Sequence, residues 1–88
     1  MFVSVEISLY PLRDEFVPTI EAFLERLRAR TDLTILSNTM STRVIGEYDR
    51  VFEALHAEMR RTHETVPHAV FVTKIVGGDL RPGDGPYP

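Results

Sequence analysis

The chain has 88 residues, 43% of them hydrophobic and 26% charged, with a formal net charge of −3. That length holds a single domain whose core is real but small, stable marginally or with help from oligomerisation. The acidic balance and the lack of a basic run argue against a general nucleic-acid binder. The lack of cysteine excludes disulfides, thiolate metal sites and cysteine nucleophiles, and no apolar run approaches the ~20 residues of a membrane span.

The first strand is expected over Phe2–Tyr10, ending in the corner Pro11-Leu12. Val3, Val5, Ile7 and Leu9 alternate with Ser4, Glu6, Ser8 and Tyr10, so one face is apolar and the other carries a carboxylate, two hydroxyls and a phenol. This alternation, with no positive region, is unlike a signal peptide, and a cytoplasmic domain is expected. Arg13–Arg30 reads as a helix, with Phe16, Ile20, Phe23, Leu24 and Leu27 on one face and Pro18 in the first turn. Asp14 and Glu15 suit its N-terminus, and Arg26, Arg28 and Arg30 its C-terminus.

Thr31-Asp32 breaks the helix, and Leu33–Thr39 reads as a second strand. Asn38–Ser41 is a polar reversal into a third strand, Thr42–Glu47, which makes a hairpin. Gly46 marks either a bulge or a close backbone approach. Asp49 is the expected N-cap of a second helix that presents Val51, Phe52, Leu55, Met59 and Thr62. Thr65–Pro67 ends it, and His68–Val76 is the last strand, apolar on both faces.

The order β-α-β-β-α-β predicts an α+β ferredoxin-like sandwich, a four-stranded antiparallel sheet with two helices on one face. The domain is expected over residues 1–76. Residues 77–88, with four glycines and three prolines, form a tail that is mobile or draped over a partner. The doubly apolar last strand implies that something covers the open sheet face, and a homodimer is the economical answer.

Three segments, VSVEISLYPL, NTMSTRVIGEYDRVFEAL and VFVTKIV, resemble the YkoF-like thiamine/hydroxymethylpyrimidine-binding domain family in type and order. The resemblance runs almost to Val76 and implies the same fold. Members carry it as tandem repeats or as single-repeat chains that associate, so one repeat here implies a homodimer or a dimer of dimers. It also implies binding of thiamine or its hydroxymethylpyrimidine moiety, and the expected role is that of a non-catalytic carrier or sensor in salvage or uptake. No nucleic acid, membrane or cofactor is expected, the first two from charge and hydropathy.

Thiamine is a cation with an aminopyrimidine that donates and accepts hydrogen bonds. Its pocket should offer a carboxylate, hydroxyls or amides, and an aromatic face. Glu6 would meet the charge or the amino group, Ser8 a ring nitrogen, and Tyr10 would stack. Asn38, Thr39, Met40 and Thr42 on the hairpin could close the pocket, with Thr73 and Lys74 arriving from the last strand. Equally, Glu6 could pair with Lys74 across the strands and Ser8 could be satisfied by backbone. A phosphate-bearing ligand would need cations beyond Lys74 and Arg43.

His56 and His63 are two helical turns apart and His68 lies beyond Pro67, so no metal site is expected. The corner Pro11–Asp14 has Arg13 but no glycine to present successive N–H groups, which argues against an acylphosphatase-type phosphate loop. Without Trp or an evident Ser-His-Asp grouping, catalysis is the weaker reading. The alternatives are a dimeric ferredoxin-like interaction module without ligand and a dimeric α+β barrel enzyme.

Overall fold

Alternation in the first strand sets the layers. The computed structural model describes residues 1–38 and 40–81. Strand β1, Phe2–Tyr10, turns Val3, Val5 and Ile7 into the core at 0–2% exposure. Two helices, α1 at Val17–Arg28 and α2 at Tyr48–Thr65, cover that face, supplying Phe23, Leu27, Val51 and Leu55. Each such fully buried side chain contributes roughly 1.5–3 kcal/mol of transfer free energy. Strands β2 (Thr34–Ser37), β3 (Thr42–Glu47) and β4 (Val70–Gly77) complete an antiparallel sheet in the order β2-β3-β1-β4. This is the expected α+β ferredoxin-like sandwich.

Several boundaries differ from the sequence reading, each for a local reason. Helix α1 starts at Val17, with Pro18 in its first turn and Phe16 as a half-exposed N-cap. Asp14 and Glu15 therefore precede the first turn, which holds no acid. Strand β2 is shorter than Leu33–Thr39 because Asn38 already belongs to the turn, its N–H donating to the Ser41 carbonyl at 3.0 Å. Glu47, in extended conformation, is the N-cap of α2, and Asp49 lies in the first turn, where its charge still favours the helix dipole. Strand β4 begins at Val70 because Ala69 closes a turn onto the Val66 carbonyl at 3.1 Å.

Gly46 is a point of close approach rather than a bulge. Its register with Val3 is unbroken, and a Cβ there would sit 2.8 Å from Leu33 Cδ2.

The face away from the helices is covered at one end by the chain's own continuation. After Gly77 the backbone doubles back: Gly78 N–H donates to the Phe2 carbonyl at 2.9 Å. The Ser4 hydroxyl donates to the Gly78 carbonyl (2.8 Å) and accepts the Leu80 N–H (2.9 Å). Under this return Ser4 and its register partner Ile45 are 5% and 1% exposed. The other end of the same face is open, with Val70, Val72 and Tyr10 at 43–51% exposure. Of the anticipated tail, residues 82–88 lie outside the described residues. Among the described residues no helix is long and apolar enough to cross a membrane.

Candidate functional site

Strand β1 delivers the chain to one end of the sheet, and three features meet there. The first is the corner. Pro11 is buried, and Leu12 takes a left-handed conformation (φ 56°), uncommon for a residue with a Cβ. The corner turns the chain into Arg13 and then α1. The second is the β2–β3 hairpin tip, which the register Ile7↔Thr42 and Ser37↔Thr42 brings alongside the end of β1. The Asn38 side-chain oxygen accepts the Met40 N–H at 2.7 Å and the Ser41 N–H at 2.9 Å, so the turn is pinned by its own side chain. The third is the first turn of α1.

Between them lies a cavity of about 440 Å³. Ile7, Leu9, Ile20, Phe23 and Leu24 form its apolar wall, and Tyr10, Leu12, Phe16 and Met40 its half-exposed or exposed rim. Asn38, Ser41 and Thr42 supply polar groups, and Ser8 borders the space from a strand position whose register partner, Val72, is on the other sheet face. Among the described residues Arg13 is the only charged one lining it. The Thr42 hydroxyl is already shared with Ser37 Oγ at 3.1 Å. A concave, largely apolar space with a few convergent polar groups is the usual form of a small-molecule site.

Of the anticipated site residues, Ser8, Tyr10, Asn38, Met40 and Thr42 come together around this cavity. Glu6 and Lys74 do not line it. They face each other on the open side of the sheet, Lys74 Nζ 3.7 Å from Glu6 Oε1, and Arg43 is the register partner of Glu6 on its other flank. The ion-pair alternative for Glu6 is thus the geometry present. Thr73, one residue before Lys74, belongs to the opposite face and lines a separate groove under α2 with Phe52, His56, Met59 and Ile75. Thr39 lies outside the described residues.

Sequence reasoning missed Arg13, Phe16, Ile20 and Leu24 as cavity residues. Phe16, Ile20 and Leu24 were legible only as a helix face. The available signal was topological: in this fold the end of the first strand, the start of the first helix and the hairpin tip share one end of the sheet.

The most concentrated buried charge sits elsewhere, between the helices. Glu58 is 5% exposed, and its carboxylate accepts Arg26 Nε at 2.7 Å and an Arg30 Nη2 at 2.9 Å. Burial pushes its pKa up, but the hydrogen bonds and charges of Arg30 and Arg26 outweigh that and hold it below the usual 4.5. The histidines are dispersed. His63 Nε2 meets the Ala69 carbonyl at 2.8 Å, and His56 and His68 are exposed.

The family model described as the YKOF-related family matches residues 2–78. The chain belongs to the YKOF-related family. No curated protein sequence matches it significantly, but solved structures do. The fold is shared with a protein from Streptococcus pneumoniae, with a TM-score of 0.82 at 18% identity, over 91% of this chain and 90% of that one. A Thermotoga maritima protein, named as a candidate thiamine biosynthesis/salvage protein, aligns with a TM-score of 0.77 at 17% identity over 92% and 85%. A hypothetical protein from Methanocaldococcus jannascii gives 0.76 at 22% identity over 92% and 84%. At these identities the structural likenesses establish the fold of this YKOF-related chain and nothing finer.

Proposed function

We propose that this YKOF-related chain binds thiamine, or its hydroxymethylpyrimidine moiety, without catalysing a reaction on it, and acts in the cytoplasm as a carrier or sensor in thiamine salvage or uptake. The observation that carries this reading is the cavity at the end of β1, in a chain of this family. Its volume of about 440 Å³ lies within the roughly 300–1,000 Å³ usual for small-ligand sites. Phe16 and Phe23 offer aromatic surface for a flat ring, and Asn38 and Ser41 offer partners for ring nitrogens and an amino group. Among the described residues no carboxylate lines it, so the neutral aminopyrimidine is the better-matched half of thiamine. The name borne by the Thermotoga maritima protein of the same fold is consistent with this ligand class.

The functional unit in this reading is a homodimer, or a dimer of dimers, joined through the open part of the sheet face. Val70 and Val72 stand there at 43% and 50% exposure beside Tyr10, an apolar patch that a second copy would cover. If the patch is the chain's whole purpose, the protein is an interaction module and binds no small molecule.

Calorimetric titration with thiamine and, separately, hydroxymethylpyrimidine distinguishes these readings. Saturable binding at one site per chain, retained in Glu6→Gln, is the expected result. Flat traces for both ligands from folded protein would overturn it.

A further inference from the structure

We propose that the cavity takes its heterocyclic ligand as a phosphate monoester, with the ring on the Phe16–Phe23 wall and the phosphate at Arg13. This rests on the pyrimidine-binding reading above and adds the charge of the ligand to it.

Charge is the first ground. The chain carries 13 acidic residues against 10 basic ones, yet among the described residues no carboxylate lines this cavity and Arg13 is its single charged residue. Among the described residues Arg13 makes no ion pair and no side-chain hydrogen bond, so its donors are available to a ligand. The polar inventory is the second ground. The Asn38 side-chain oxygen is occupied by two backbone N–H groups, leaving its NH₂ to face a ligand as a donor. The wall therefore offers fixed donors and no fixed anionic acceptor, which suits an anionic substituent on the ring better than a cationic one.

The surroundings are the third ground. Arg13 also borders a second groove, of about 240 Å³, between α1 and α2. Arg26, Arg61 and the threonines Thr19, Thr62 and Thr65 line that groove, with Glu15 as its one carboxylate. Arg26 is committed to Glu58 at 2.7 Å, whereas Arg61 makes no ion pair among the described residues. Two guanidiniums outside any ion pair among the described residues, Arg13 and Arg61, thus face one carboxylate, Glu15, along the groove that adjoins the cavity at Arg13. Guanidinium pairs phosphate oxygens in bidentate fashion, and such charge-assisted bonds are about twice as strong as neutral ones.

The test compares hydroxymethylpyrimidine with its monophosphate by titration of wild type and Arg13→Gln. Arg28→Gln serves as the control, since Arg28 is exposed and lines neither space. The expected result is that the monophosphate binds wild type and Arg28→Gln about tenfold more tightly than the free alcohol, a gain typical of one charged hydrogen-bonding contact. That advantage should fall to within about twofold in Arg13→Gln and shrink as salt is raised. Equal affinity for the two ligands in wild type, or an advantage that survives Arg13→Gln, would overturn the inference while leaving pyrimidine binding intact. Failure of both ligands to bind would overturn the binding reading, and the inference with it.

Discussion

Glu58 of α2 accepts the Nε–H of Arg26 on α1 at 2.7 Å while only 5% of the glutamate is exposed. Arg30 reaches the other carboxylate oxygen, and the Arg26 guanidinium also meets Thr62 Oγ1 at 3.0 Å. One buried carboxylate thus ties both helices together over the sheet. Removing it leaves two guanidiniums partly buried without an anionic partner, although Arg26 keeps its bond to Thr62 Oγ1. Losing one member of a buried pair costs about 3–5 kcal/mol, but these arginines keep 26% and 31% exposure, so Glu58→Ala should cost about 2 kcal/mol in urea unfolding. The same pair sets an acid limit. Because the folded-state pKa of Glu58 lies below 4.5, its contribution is present in full above that pH and is lost as pH falls through the folded value. Stability of wild type should therefore drop below about pH 4.5 more steeply than that of Glu58→Gln.

Gly46 tests the packing of β3 against the loop before β2. A Cβ at 2.8 Å from Leu33 Cδ2 meets the flexible end of a half-buried side chain, which can yield. Gly46→Ala should then cost about 1 kcal/mol and Gly46→Val, which also meets Val51, about 2–3 kcal/mol, measured by chemical denaturation.

The fold was legible because period-two and helical patterns do not overlap in this chain. Val3, Val5 and Ile7 on one strand and Phe23 and Leu27 on one helix face need each other, and few topologies satisfy them. The ends of elements were less legible, since Asn38 and Glu47 act through backbone geometry that hydrophobic pattern does not encode. The site was half legible. Strand alternation correctly put Glu6 and Ser8 on one face, but face is not position along the strand. Glu6 stands mid-strand between Lys74 and Arg43, while Ser8 and Tyr10 reach the end where the cavity lies. Glu58 was missed because a lone acid between apolar helix positions gives no sign that two arginines 28 and 32 residues earlier will reach it.

Ser4 holds the returning segment Gly78–Arg81 by both its donor and its acceptor. In Ser4→Ala the Leu80 amide loses its partner, and hydrogen exchange there should accelerate by about tenfold, equivalent to one hydrogen bond of roughly 1 kcal/mol. Global stability should fall by a similar amount. An unchanged Leu80 exchange rate would show that the segment is held by other contacts.

Val72 lies at the centre of the open apolar patch, half exposed and in register with Ser8. If a second copy covers that patch, Val72→Glu should shift the protein to monomer in light scattering at micromolar concentration while leaving its circular dichroism unchanged. A wild-type protein already monomeric there would remove the dimer from the proposal.

The central claim is that the cavity at the end of β1, rather than the Glu6–Lys74 pair, receives the ligand. Backbone amide chemical shifts recorded while hydroxymethylpyrimidine is titrated in test it most directly. Saturable shifts concentrated at Ser8–Arg13, Ile20–Leu24 and Asn38–Thr42, with Glu6 and Lys74 little moved, are the predicted result. Shifts centred on Glu6, Arg43 and Lys74, or none at saturating ligand, would contradict it.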